Sequence, residues 1–541
     1  MCMSRREYFK KMASAPLYAG ALGMFFNSFM KKTYAQMLGI DPTEQNVFHL
    51  LMFGAPPRWL FDSPVKLKDS DSFIENPMVI TKFDENGNGV YETSKFNGHN
   101  MPSLWNSMVP TSRGNRNMSD LLNNMLMIRG VTSGIDGHNI NRELMTRPSR
   151  SNDSIAGAMA NNSQRPIPAL SVGREEPYFS NSGRSQSVIG LTSNPLEDWL
   201  RSFNLPNSLT IGNSQIENLV DQALKSLEQR VHRSNVKRRG LASERSSARS
   251  LFKRQFGDLR EAYDSLFQKY NVLINSVYQD STFDIGEGVD KTFANNQSFF
   301  NLPSSGDDRR SFYEMQSLNV DNLIGAGNDI RGLYRSAGTT VGSNQIAESF
   351  AVAEFVFSQN LSQSVHTRLG STTIFTNNTG TRTIFRNDAH NTGKVSTLLF
   401  FSKYYQALSS CLMEFTDQMK TKNKFNNTSI LLSSEFARRA RFDGSGSDHG
   451  WAGNNCSIIS GKIKKLQVVG NIQSEASGRY QGSWGKGASV SEIGNRPVSP
   501  GDITSTVAAM SGLKNPISNA NSLIYLNNGV ITPISEAKCV A

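Results

Sequence analysis

The chain alternates between short, almost wholly apolar runs and longer stretches in which apolar residues recur every third or fourth position. Asn46 to Gly54, NVFHLLMFG, is a continuous run closed by glycine. A run of that length without polar alternation predicts a strand buried on both faces, the pattern of parallel sheets. Asn124 to Val131 (NMLMIRGV) reads the same way. Pro168 to Gly173 (PALSVG) is a weaker example, and Thr381 to Asp388 (TRTIFRND) is short and ends in a polar cluster. Thr428 to Phe436 (TSILLSSEF) is the clearest, and CSIISG and LQVVGN follow it. Helical patterns lie between these runs, most regularly from Val395 to Met419. Strands alternating with helices predict an α/β fold with a mostly parallel central sheet and helices on both faces.

The middle of the chain changes period. Ile216, Leu219, Val220, Ala223, Leu224, Leu227 and Val231 keep helical spacing, as do Phe252, Phe256, Leu259, Tyr263, Leu266, Tyr270, Leu273 and Val277. Two amphipathic helices joined by a basic turn predict a long helical hairpin inserted into the α/β fold. The expected organisation is a signal segment over 1–35 and the first part of the α/β domain over 36–210. The hairpin with its loops follows over 211–345, and the second part of the α/β domain, with a Gly/Ser/Asn-rich tail, over 346–541.

Charge adds one feature. Of 541 residues, 57 are Lys or Arg and 46 are Asp or Glu, giving a net charge of +11. The excess gathers at Arg230, Arg233, Lys237, Arg238, Arg239, Arg245, Arg249, Lys253 and Arg254, in the turn of the expected hairpin and the helix ends beside it. Such a block suits an anionic partner, an acidic polymer or lipid. No zinc-finger spacing or aromatic RNA-binding signature accompanies it, so nucleic acid is not expected. The four cysteines, Cys2, Cys411, Cys456 and Cys539, form no CxxC. Cys411 and Cys456 sit in apolar patterns and are expected to be buried thiols.

Ser4-Arg5-Arg6-Glu7-Tyr8-Phe9-Lys10, followed by an apolar stretch from Ala13 to Met30, resembles a twin-arginine export signal. It predicts an exported protein of the periplasm or cell surface. No other run reaches the roughly 18 apolar residues of a membrane helix, so membrane contact is expected only through this segment.

Candidate chemistry collects where strands end. In open α/β sheets, ligands bind beyond the carboxyl ends of the strands. Asp388-Ala389-His390 closes the Thr381 run, Glu435 closes the Thr428 run, and Asp448-His449-Gly450 lies in the glycine-rich stretch that follows. Residues i and i+2 of an extended segment point the same way, so Asp388 and His390 can face one ion. Two histidines with two or three carboxylates suit zinc or a similar divalent metal.

These stretches together resemble a bacterial family of twin-arginine-exported proteins of unknown function grouped with the alkaline-phosphatase-like superfamily. The likeness rests on Ser4-Arg5-Arg6, Gly54-Ala55-Pro56-Pro57-Arg58, Asp388-Ala389-His390, Ser434-Glu435-Phe436-Ala437-Arg438 and Asp448-His449-Gly450. Pro497 to Leu513 looks like the family's closing helix, and Asp136 to Pro148 (DGHNINRELMTRP) is similar to a family stretch with an Asn/Asp-His pair. The resemblance implies a metal-dependent hydrolase of phosphate or sulfate esters. Asp388, His390, Glu435 and His449 would hold metal, and Asp448 would be a ligand or orient His449. Arg58 or Arg438 would stabilise anionic charge on a small ester. The chain departs from the family at its first turn, where Pro57 stands for Ser and Arg58 for His. Asp62 and Ser63 follow at a shifted spacing. Without a placed hydroxyl, a metal-bound hydroxide is the expected attacking group. The other reading is a non-catalytic metal- or anion-binding envelope protein on a degenerate hydrolase fold.

Overall fold

The apolar runs become the strands of one sheet. The computed structural model describes residues 44–148, 154–172, 189–191, 256–279, 340–342, 345–376 and 382–540, apart from single positions 87, 164, 166, 168, 371, 392 and 528. The central sheet contains β1 (Asn46–Met52), β2 (Met125–Val131), β3 (Leu170–Val172), β4 (Ile189–Leu191), β5 (Ser364–Leu369), β6 (Thr428–Ser434), β9 (Asn454–Ser460) and β10 (Gln467–Val469). Between β6 and β9 stands a separate hairpin, β7 (Ala437–Ala440) with β8 (Ser447–Gly450). The sheet order is β4-β3-β5-β1-β6-β9-β2-β10. Strands β4, β3, β5, β1 and β6 run parallel, as do β2 and β10, and β9 alone is antiparallel to both neighbours. The fold is therefore mixed α/β with a mostly parallel central sheet.

Alternate residues of β1 serve different apolar clusters. Phe48, Leu50 and Met52 join one, Val47 and Leu51 the other. The first cluster takes in α3 (Phe256–Gln279), α4 (Ile346–Ser358) and α5 (Lys394–Thr421). Phe48 meets the rings of Phe350, Phe357 and Phe415 at 5.4, 6.5 and 5.3 Å. The second takes in α2 (Ile155–Asn162) and α6 (Pro500–Met510), through Met159, Ile503 and Val507. Each such side chain contributes about 1.5–3 kcal/mol by burial, so truncating Phe48 would damage the core more than any surface change.

The second helix of the expected hairpin is α3. Its residues Tyr263, Tyr270, Leu273 and Val277 are buried, and Leu266 and Phe267 pack against the first cluster. Tyr270 Oη donates to Glu354 Oε2 at 2.5 Å and Lys269 Nζ reaches the same oxygen at 2.7 Å, tying α3 to α4. The first helix, the basic turn between the two, and the amino-terminal signal segment lie outside the described residues. Among the described residues no helix is long and apolar enough to cross a membrane. Cys411, Cys456 and Cys539 are buried free thiols.

Two strand assignments need correction. The Thr381 run forms a strand, Arg382–Arg386, but not in the central sheet. It pairs antiparallel with Thr372–Thr376 in a small sheet that also holds Thr340–Gly342. The central position beside β1 belongs instead to β5, whose sequence SVHTRL carries too many polar residues to read as a buried strand. Its His366 meets His49 of β1, Nδ1 to Nδ1 at 3.1 Å, and His49 Nε2 lies 2.7 Å from Ser433 Oγ. Burial, and then the charges of Arg142 and Arg368, lower His366 to about 4. Burial and His366 lower His49 as well. Both rings are neutral parts of the core.

Candidate functional site

The central parallel strands β1 and β6 end side by side, with Met52 in register with Ser434. The chain leaves β1 through Phe53 and Gly54 and leaves β6 through Glu435. Gly54 N–H donates to Glu435 Oε1 at 2.8 Å. Gly54 has a φ of +98°, and a Cβ there would sit 2.8 Å from the Asn387 carbonyl oxygen. The turn therefore requires glycine and lies directly against the segment that carries Asp388. Ala55 also adopts a positive φ, 51°. Arg438 pins this turn, its Nη2 donating to Gly54 O at 2.6 Å and its Nε to Ala55 O at 2.9 Å.

Asp388, reached through Asn387 from the small antiparallel sheet, meets the same guanidinium, with Arg438 Nη2 2.5 Å from Oδ1. The His390 N–H donates to that oxygen at 2.9 Å. Burial opposes ionisation of Asp388, but Arg438, the His390 amide and the imidazoles of His138 and His390 outweigh it and lower its pKa. The expected i, i+2 placement in one extended strand is replaced by a helical turn over Ala389–Asn391, which swings His390 to a different neighbour. His390 Nε2 lies 3.3 Å from Asp448 Oδ1. Burial, then the charge of Arg438, lowers the His390 pKa.

The stretch after Glu435 folds back as a hairpin rather than as a free loop. Arg438 pairs directly with His449, and Arg439 with Asp448. Neighbouring residues of a strand point to opposite faces, so His449 lies on the face of Arg438 and Asp448 on the other. This is why Asp448 does not orient His449. Its carboxylate is taken by Arg441 at 2.6 Å, the Tyr480 hydroxyl at 2.6 Å and Arg479 at 3.2 Å. Burial opposes ionisation of Asp448, but the bonds from Arg441 and Tyr480 hold the carboxyl well below the usual range. The orienting carboxylate of His449 is Asp136, whose Oδ1 lies 2.8 Å from Nδ1.

Asp136 and His138 were not singled out in sequence as ligands. They follow β2, a buried strand, across Gly137, and His138 opens α1 (His138–Thr146). The signal was there in Asp-Gly-His placed just beyond the carboxyl end of an apolar run. His138 Nδ1 lies 2.8 Å from Glu435 Oε1, and its Nε2 lies 3.8 Å from Asp388 Oδ2. A carboxylate accepts, so Nδ1 of His138 and of His449 is the donor in each pair. In the neutral rings the basic nitrogen is then Nε2. The His138 and His449 rings are 4.7 Å apart, and His390 and His449 5.5 Å. Phe436 packs against His449 at 4.3 Å and against His138 at 4.7 Å. Three of the chain's seven histidines thus meet at one edge of the sheet.

Of the residues expected to act here, Asp388, His390, Glu435 and His449 converge. Glu435 Oε2 is buried with no hydrogen-bond partner among the described residues. Asp448 joins the cluster through His390 only, with its charge met by two arginines and a tyrosine. Arg58 does not join it. Its side chain is buried and forms an ion pair with Asp62, Nε to Oδ1 at 2.6 Å, so it cannot meet a ligand arriving from solvent. Arg438 is equally buried and holds the turn and Asp388, which makes it a positioning residue. Asp62 also accepts from Ser457 Oγ, and Ser63 is buried. Among the described residues no three His, Cys, Asp or Glu side chains stand drawn up around one ion.

A scan against protein-family models finds no match, and neither does a search of curated proteins. Among solved structures, the chain is similar to the crystal structure of Ps i-CgsB in complex with k-i-k-neocarrahexaose. The TM-score is 0.27 at 9% identity, over 87% of this chain and 72% of that one. A second crystal structure of Ps i-CgsB gives a TM-score of 0.25 at 10% identity, over 88% and 75%.

Proposed function

We propose that this sheet edge is the site of a metal-dependent hydrolase of phosphate or sulfate esters, built on an alkaline-phosphatase-like fold and exported from the cytoplasm. The observation that carries the reading is the convergence of His138, His390 and His449 with Glu435 and Asp388 beyond the ends of β1, β2 and β6. The donor types, imidazole nitrogen and carboxylate oxygen, suit zinc. The buried Glu435 Oε2, without a hydrogen-bond partner among the described residues, and the Nε2 atoms of His138 and His449 are donors of the kind zinc takes. Asp388, His390, Glu435 and His449, joined by His138, would hold the ion. Once bound, it would supply Lewis-acid charge to an anionic ester and activate water.

The remaining residues position and bind. Glu435 fixes the His138 ring and Asp136 fixes His449, each through Nδ1. Arg438 holds the Gly54–Ala55 turn and Asp388 together. Arg479, 60% exposed and 3.2 Å from Asp448, is an exposed cation that could meet an incoming anionic group. The test is metal analysis of protein purified without chelator, followed by assay on phosphate and sulfate esters. Near-stoichiometric metal is expected, with turnover lost on chelation and restored by zinc. Arg438→Lys should lower turnover about 10–100-fold, the scale of losing a residue that holds a ligand in place. A protein that hydrolyses these esters with no metal, or that binds none at all, overturns the reading.

A second reading is favoured by one observation. Asp62 and Ser63, which follow the first turn, are buried, and Asp62 is committed to Arg58 and Ser457. No hydroxyl stands at Pro57 to attack an ester. Under this reading the site binds a metal or anion without turnover, and metal content without activity on any ester supports it.

A further inference from the structure

Trp59, Asn455 and Trp484 line an internal cleft together with Arg58, Ser63 and Arg438. Its open centre has room for about one water-sized body. Trp59 Nε1, Trp484 Nε1, Arg438 Nη1 and both polar atoms of the Asn455 amide are buried, with no hydrogen-bond partner among the described residues. All four residues are at least nine-tenths buried, with 5% or less of their surface exposed. Each buried polar atom left unmet costs about 1–3 kcal/mol, so several on residues that line one cleft imply something that meets them.

The chemistry of the lining selects the occupant. Indole and guanidinium nitrogens only donate, and the Asn455 amide brings a further N–H₂ group. Four unmet donor groups thus belong to the residues lining the space, against one unmet acceptor, Asn455 Oδ1. A water molecule accepts two hydrogen bonds and must place its own two hydrogens. A monatomic anion accepts from every side and places none. Two guanidiniums line the space, and each is already offset by an aspartate, Asp62 or Asp388. Recognition therefore comes from converging N–H groups more than from net charge. We propose that this cleft binds one halide ion, chloride in size, held by the Trp59 and Trp484 indole N–H groups, Arg438 Nη1 and Asn455 Nδ2. The ion would complete the Arg438 guanidinium, whose other nitrogens hold Gly54, Ala55 and Asp388. The inference rests on the cleft and stands whether or not the sheet edge hydrolyses esters.

The test uses the full chain crystallised with sodium bromide and measured at the bromine absorption edge. An anomalous peak in the cleft, within hydrogen-bond distance of both indole nitrogens, is expected. A map with no peak there, or with bromide only on the surface, overturns the proposal. In solution, raising bromide tenfold should lift the thermal midpoint of the wild type by about 2 °C or more beyond Trp484→Phe in the same salts. Equal rises in the two proteins count against the site. If Trp484→Phe does not fold, the anomalous map of the wild type decides alone.

Discussion

Arg58 and Arg438 line the same internal cleft and each meets an aspartate, but the two pairs are built for different ends. Arg58 reaches Asp62 four residues away through two nitrogens, and both side chains are buried. Ser457 donates to the same carboxylate. Arg438 spreads its donors over the Gly54 and Ala55 carbonyls and Asp388, whose side chain remains 34% exposed, and keeps Nη1 unpartnered. The first arrangement is closed and local. The second joins β7, the turn after β1 and the segment after the small sheet. Both arginines looked alike in sequence as charge stabilisers at a strand-end turn. Burial and partner geometry separate a pair that holds the core from one that ties three segments together at the candidate site.

The comparison can be broken most directly by removing each aspartate. Asp62→Asn should cost about 3–5 kcal/mol in denaturant unfolding, because it strands a buried guanidinium. Asp388→Asn should cost about 1 kcal/mol, since Arg438 keeps two carbonyl partners and the carboxylate is partly solvated. Replacing the closed pair with Arg58→Met and Asp62→Leu together should recover much of the loss. Equal losses from the two single variants would show that the Arg438 pair is as structural as the Arg58 pair.

The interior histidines sharpen the same contrast through pH. His49 and His366 are held neutral by burial, while the sheet-edge histidines meet carboxylates. For His366 the folded pKa is about 4, against about 6.5 in the unfolded chain. The unfolded state therefore binds more protons between these values, and stability falls as pH falls through that window. The contribution is fully present above about pH 6.5 and amounts to up to about 3 kcal/mol lost by about pH 4. Unfolding measured from pH 7 to 4 should show this slope added to that of His49, whose pKa burial also lowers, and His366→Gln should reduce it by the His366 share. An unchanged slope in that variant would move the effect to another group.

What was legible in the sequence follows from physics. Continuous apolar runs such as Asn46–Met52 and Thr428–Ser434 announce strands covered on both faces, because an alternating pattern would leave one face to water. Strand β5 did not announce itself, since its His366, Thr367 and Arg368 find partners and cover only in the assembled sheet. Glu435 and His449 could be picked out as a carboxylate at a strand end and an imidazole on a returning chain. The role of Asp448 could not, because a one-residue difference in a hairpin reverses the face, and the glycine-rich sequence from Arg441 to Gly450 reads as a loop. His138 was missed because its partner lies 297 residues away, and only the side-by-side ends of β1, β2 and β6 bring it to Glu435.

The smallest expected effect on stability is also the most specific for the site. Asp136 is 60% exposed and holds His449 Nδ1 at 2.8 Å, the open counterpart of the closed Arg58–Asp62 pair. Exposed ion pairs contribute about 0–1 kcal/mol, so Asp136→Asn should leave the unfolding curve nearly in place. Yet a carboxylate behind an imidazole fixes which nitrogen carries the proton and raises the basicity of the other, and losing it costs about 10–100-fold in metal affinity at such sites. An amide can offer its oxygen to the ring, but also an N–H₂ group that stabilises the opposite tautomer. Zinc titration of the variant against wild type should therefore show affinity lowered by at least about tenfold at unchanged stability. Unchanged affinity would mean that His449 does not present Nε2 to a metal, and the ligand set would shrink to the residues around Glu435 and Asp388.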